Sequence, residues 1–218
     1  LMAMDSTHSI LIHMKLECDN FEFFHCPKKM IVGVNMLNFF KLIKTMNNSE
    51  TLNLFIEKSN ENKLGILISN SEKNTQTIYK LNLLDINEED IHIPPAEFET
   101  ELSLPSGDFQ KIIRDMVNIG ENIEIKSIEN QLILNCDGDF ASQQTVLGET
   151  NNGLKFNQVP PSEFPIQGIY SLKYLVLFTK CTNLCHQIHI YIKNDYPLII
   201  KYAVASLGDI KLCLAPNI

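Results

Sequence analysis

Cys181, Cys185, His186 and His189 stand close together in the chain and carry the side chains from which a thiol–imidazole pair or a metal centre is built. Their spacing argues against both. Cys181-x-x-x-Cys185-His186 lacks a second ligand pair at matching spacing, and His189 falls in the alternating run Ile188-His-Ile-Tyr-Ile192, which has the pattern of a strand. Asp137-Gly-Asp139 resembles the start of a calcium loop, but the downstream ligands are absent, so it reads as a turn between strands. Neither a phosphate-cradling glycine motif nor a paired-carboxylate arrangement occurs. The sequence therefore supplies no catalytic residue, no metal-ligand set and no cofactor motif, and a Cys/His-dependent enzyme is the weakest of the functional readings. The chemistry that remains is that of charge placement.

Net charge is −8, which alone opposes a nucleic-acid partner, so the positions of the 18 basic residues decide the matter. Six of them lie in three segments of one design, Asn35–Met46, Ser106–Met116 and Ser171–Cys181, which hold only Asp108 and Asp115 as acids. Each reads as a short amphipathic helix. In the first, Met36, Phe39, Phe40, Ile43 and Met46 gather on one side while Lys41 and Lys44 point away. In the second, Phe109, Ile112, Ile113 and Met116 oppose Lys111 and Arg114. In the third, Leu172, Leu175 and Val176 lie in an apolar arc that leaves Lys173 and Lys180 outside it. Asn35, Ser106 and Ser171 are suited to cap the three starts. A solvated helix face ordinarily mixes signs. If these faces align, they form one positive surface on an acidic body, suited to phosphate contact without base readout.

The elements between the helices are strands: 9–16, 122–128, 131–134, 188–192 and 198–204 alternate or are rich in β-branched residues. Helix starts near 35, 106 and 171 give a period of roughly 65–70 residues. Three units is an odd number for a duplicated fold, so the front half of a fourth is expected to be missing. Asn87–Phe98, acidic and carrying Pro94-Pro95, reads as a surface connector between two halves. With 44% hydrophobic residues the chain can bury a full core or two smaller ones, and no run approaches the ~18 apolar residues of a membrane span. The six scattered cysteines read as free thiols.

Leu104-Pro-Ser-Gly-Asp-Phe109 with Arg114-Asp115, Tyr196-Pro-Leu-Ile-Ile-Lys-Tyr202, Leu214-Ala-Pro-Asn-Ile218 and Leu1-Met-Ala-Met-Asp-Ser-Thr-His8 together resemble the proliferating cell nuclear antigen family, the eukaryotic-type DNA sliding clamps, across nearly the whole chain. The resemblance implies an α+β DNA clamp, the processivity fold. Two similar domains would make up each subunit, with helices lining a central hole and antiparallel sheets outside. The expected division is 1–83, a connector over 84–98, and 99–218. It further implies a homotrimeric ring around double-stranded DNA, held without regard to sequence, that serves as a polymerase processivity factor in replication and repair. A DNA polymerase, a clamp loader and other proteins bearing a clamp-binding peptide are the implied partners, in the nucleus or in a viral replication compartment. The runner-up is a subunit of a mixed, checkpoint-type clamp or scaffold.

By position, the resemblance assigns Lys41, Lys44, Lys111, Arg114, Lys173 and Lys180 to face DNA. It assigns Met4, His8, Ser9, Leu11, Ile91, Ile93, Phe98, Pro197, Ala215, Pro216 and Ile218 to a groove for peptides with a glutamine, an aliphatic residue and two aromatics. It assigns Tyr79, Leu81 and Leu83, with Phe140, Thr145 and Leu147 of the next subunit, to the ring seam, where Tyr79 is expected to matter most. The chain departs from the family in places. The first strand, the first DNA-facing helix and the acidic tail have no counterpart. Glu129 stands where the family carries its ubiquitinated lysine, Cys213 replaces an aromatic residue of the groove, and His92 replaces a connector glycine.

Overall fold

The computed structural model describes residues 1–86, 96–159 and 165–217. In chain order the elements are β1 (Met2–Met4), β2 (Ile10–Leu16), α1 (Met36–Ile43), β3 (Thr51–Glu57), β4 (Asn60–Asn70), β5 (Thr75–Asn82), β6 (Thr100–Pro105), α2 (Ser106–Met116), β7 (Asn122–Ile128), β8 (Gln131–Asp137), β9 (Ser142–Gly148), β10 (Lys155–Gln158), β11 (Ile166–Ser171), α3 (Leu172–Phe178), β12 (Gln187–Ile192), β13 (Leu198–Val204) and β14 (Gly208–Leu214). Five of the strands, β2, β7, β8, β12 and β13, fall where alternation predicts them, because each must place every second side chain in a core. All the strand pairs in the three sheets are antiparallel.

Two compact units emerge, Leu1–Phe24 with His92–Ile218, and His25–Ile91. Leu1–Phe24, placed by sequence in the front half, belongs to the unit of the back half because β2 pairs along its length with β14, from Ile10↔Leu214 to Leu16↔Gly208. The larger unit holds a seven-stranded sheet of order β1-β2-β14-β13-β12-β6-β10 and a four-stranded sheet of order β11-β7-β8-β9. Its core takes Leu102 and Leu104 from β6, Ile188, Ile190 and Ile192 from β12, and Leu198, Ile200 and Tyr202 from β13. The four-stranded sheet adds Ile123, Ile125, Leu132 and Leu134, and the helices add Phe109, Ile113, Met116, Leu172, Leu175 and Phe178. Ile113 has no exposed surface, so Ile113→Ala should cost about 2–5 kcal/mol through lost burial and the cavity it leaves, read as a lower urea midpoint with an unchanged m-value.

The smaller unit packs α1 on the sheet β3-β4-β5 through Leu64, Ile66 and Ile68. Here the predicted helix face is corrected. Phe39, Leu42, Ile43 and Met46 meet this cluster, while Met36 and Phe40 are exposed. The contact arc is turned toward Leu42 because it follows the apolar row of the sheet rather than the centre of the helix's own hydrophobic arc.

Capping is also partly corrected. Asn35 caps α1, its side chain accepting from the Asn38 amide at 3.0 Å. Ser106 lies inside α2 after Pro105, and its hydroxyl instead donates to the Cys185 carbonyl at 2.7 Å. Ser171 makes no side-chain cap bond. The third helix is shorter than predicted, ending at Phe178 and continuing as a 3-10 turn over Thr179–Leu184.

Candidate functional site

Lys111 and Arg114 on α2, Lys173 on α3 and Lys180 in the 3-10 turn are exposed, whereas the opposite faces of these elements enter one core. α2 lies against both α3 and the turn. Two polar ties fix that packing: the Ser106 hydroxyl bond to Cys185, and Gln110 Nε2 donating to the Thr179 carbonyl at 2.9 Å. Asp108 in the first turn of α2 and Arg114 in its last complement the helix dipole. The Lys173 ammonium sits 5.8 Å from the centroid of the Tyr174 ring, which holds the charge at the surface. Lys41 and Lys44, on or at the end of α1 in the smaller unit, are likewise exposed. Four of the six basic residues expected to face DNA are thus gathered on adjoining elements of one unit. The other two lie on and just past one helix of the second.

The residues expected to form a peptide groove lie at one end of the seven-stranded sheet, on the face away from the core. Met4↔Leu11, Leu11↔Cys213, Cys213↔Ile199 and Ile199↔Tyr191 are successive cross-strand pairs, making one apolar row over five strands. Phe98 closes its end, its ring 5.4 Å from that of Tyr191 and 5.6 Å from that of Tyr196. Pro197, Ala215 and Pro216 are half-buried, and the Ala215 amide donates to the Ser9 carbonyl at 2.9 Å, tying the tail to β2. The turn into β2 is built by Asp5, whose carboxylate accepts from the amides of Ser9 and Ile10 at 2.8 and 2.7 Å, with His8 at φ 58°. A hydrogen bond from Thr7 and the Ile10 amide hold the Asp5 carboxyl below the usual carboxylate range. Burial pushes the Cys213 thiol up to about 11, so at neutral pH it is a small apolar lining. Ile91, Ile93 and Ile218, also assigned to the groove, lie outside the described residues. Ile199 and Tyr191 escaped the sequence reading. Their place shows only once β13 is registered against β14 and β12.

β5 and β9 are edge strands, each paired on one side among the described residues. Tyr79, Leu81 and Leu83 turn toward the smaller core, and Thr145 and Leu147 are half-buried. Phe140, before β9, is 78% exposed. Ile78 and Val146, on the other face of each edge, are 57% and 49% exposed and were not singled out from sequence, although strand parity marks them.

Cys181 and Cys185 pack against the larger core, while His189 sits on the sheet's outer face. Burial, and secondarily Cys185, raises the Cys181 thiol, favouring its unreactive neutral form. Among the described residues no group of three or more His, Cys, Asp or Glu could hold a metal ion.

A chain of two antiparallel units, with exposed basic helix faces on an acidic body and open strand edges, has the attributes of a binding and assembly protein. Comparison with known proteins makes the class specific. Residues 1–91 match the family model for the proliferating cell nuclear antigen N-terminal domain, and residues 92–217 match that for its C-terminal domain. A probable DNA polymerase sliding clamp 1 of Paramecium bursaria Chlorella virus 1 is 33% identical over 221 residues, covering 99% of this chain and 83% of that protein. The proliferating cell nuclear antigen of Chaetomium thermophilum is 29% identical over 220 residues, covering 100% of this chain and 85% of that protein. The chain belongs to the proliferating cell nuclear antigen family and has its clamp fold.

Proposed function

We propose that this chain is a subunit of a DNA sliding clamp: three copies close head to tail around double-stranded DNA, and the ring tethers a DNA polymerase to its template. Membership of the family supports the clamp function. The observation that carries the site assignment is the exposed basic set Lys111, Arg114, Lys173 and Lys180 on adjoining elements of a chain whose net charge is −8. Lys41 and Lys44 are the residues of the smaller unit that take the same role. Weak, salt-sensitive phosphate contacts permit sliding, because a closed ring is retained by topology and needs no tight grip. A clamp loader opens the ring, and the row from Met4 to Tyr191 receives the peptides of polymerase and repair proteins. Tethering then raises the polymerase's effective concentration at the primer end. The nucleus, or a viral replication compartment, is where such a ring works.

The reading is tested by light scattering and by retention on DNA. A closed ring has the mass of three 24.9 kDa chains, roughly 75 kDa, and stays on nicked circular DNA while running off linear DNA. Equal loss from both substrates would rule out topological retention.

The ring itself needs no bond-making chemistry. Cys185→Ala should therefore leave polymerase stimulation at its wild-type level, and elemental analysis should find no stoichiometric zinc. A large loss with this variant, or one zinc per chain, would restore the enzyme reading.

A further inference from the structure

Two residues along each strand from the apolar row, the same face of the seven-stranded sheet carries a second row of different chemistry. His13 stands opposite Lys211, Lys211 opposite Lys201, and Lys201 opposite His189. All four are half-buried, on four neighbouring strands. At the usual strand separation the row is about 14 Å long, and it runs about 7 Å from the apolar row.

Like charges placed directly opposite one another destabilise a sheet. Among the described residues one ion pair relieves this row: Asp209 pairs with Lys201 at 3.3 Å. Lys211 has no ion pair among the described residues. The Nδ1 atoms of His13 and His189 are both buried and have no hydrogen-bond partner among the described residues. Nε2 is then the ring nitrogen through which each imidazole can meet an incoming group. Burial, and then the neighbouring Lys211 charge, lowers the His13 pKa and favours its neutral form. The row thus offers two ammoniums flanked by two imidazole rings; the carboxylates that face an incoming anion are Asp209, paired with Lys201, and Glu101, held opposite Tyr191 at the end of the apolar row. A mixed, solvated face would alternate signs instead.

We infer that this row is an acidic-residue subsite of the peptide groove, so that the partners of this clamp carry Asp or Glu beside the residues that fill the apolar row. The inference rests on the groove reading above. An extended peptide lying along Met4, Leu11, Cys213, Ile199 and Tyr191 has its flanking side chains within one side-chain length of Lys211 and Lys201. Charge complementarity selects the occupant: a carboxylate relieves the Lys201–Lys211 repulsion, whereas a lysine-flanked peptide adds to the repulsion.

The test uses the whole protein and three synthetic fluorescent peptides. Each has one glutamine, one aliphatic and two aromatic residues; one is flanked by Asp and Glu, one by Lys and one by uncharged residues. The acidic peptide should bind about fivefold tighter at low salt, and the preference should fade at high salt. It should shrink in Lys211→Gln and vanish in the Lys201→Gln/Lys211→Gln double variant, with affinity for an uncharged-flank peptide unchanged in both. That last measurement also reports that the variants are folded. Equal affinity of the wild type for both charged peptides overturns the subsite and leaves the groove standing. Binding of none of the three peptides removes the groove and the subsite together. A double variant that loses affinity for DNA while keeping the peptide preference assigns the row to phosphate and overturns the proposal.

Discussion

Replacing Lys41, Lys111 and Arg114 by glutamate together is expected to lower polymerase stimulation by about tenfold or more while the assembly keeps the mass of three chains. The three residues are exposed and take no part in the cores, so their replacement leaves packing intact. Each reversal changes the charge by two, which takes the chain from −8 to −14. If each side chain contacts one phosphate, the salt dependence of DNA association falls by about 2.7 in log–log slope per subunit, on top of the repulsion that the new carboxylates introduce. Three subunits repeat the loss around the ring. The measurement is stimulation over a salt series on a primed circular template, beside a light-scattering mass. An unchanged slope with unchanged stimulation would show that the helices do not face DNA, whatever the ring does. Loss of the trimer would show that the basic faces belong to assembly.

The basic faces were legible in sequence because a helix of 3.6 residues per turn sorts side chains locally, and neither Lys111 nor Arg114 needs a distant partner to be placed outside. Strands were legible for the same reason at period two: Ile188, Ile190 and Ile192 alternate into the core as their spacing requires. What sequence left hidden is whatever depends on register. That β2 pairs with β14, almost 200 residues further on, decides which unit Leu1–Phe24 joins, and no local pattern announces it. The apolar and basic rows exist only when five strands are aligned. His13, Lys201 and Lys211 look like ordinary outward positions of three separate strands until the pairing puts them side by side. Caps fail in another way: Ser106 has the right chemistry at a helix start, but a carbonyl from a turn distant in sequence competes for its hydroxyl and wins.

Ile78→Asp is expected to convert the ring to single chains of 24.9 kDa at micromolar concentration without unfolding them. The argument starts from edges. β5 and β9 each present one unpaired side among the described residues, and natural edges are usually protected by charge, proline or a bulge. Here they carry large apolar side chains instead, Ile78 at 57% exposure and Val146 at 49%. If β5 of one subunit pairs with β9 of the next, both side chains become cross-strand neighbours on a continuous sheet, and heterologous pairing closes the ring. A carboxylate introduced there faces water in the single chain, where it costs little. In the closed seam it is desolvated against apolar neighbours, at about 2–3 kcal/mol or some 30- to 150-fold in association. Val146→Asp, on the other side of the seam, should act alike. Tyr79→Ala should open the ring too, but Tyr79 also packs against the core of the smaller unit, so its loss mixes seam and subunit stability. The discriminating pair is therefore mass and melting temperature: a wild-type melt with a one-chain mass places the seam on these edges. A three-chain mass in both Ile78→Asp and Val146→Asp would move it elsewhere, and Tyr79 with it.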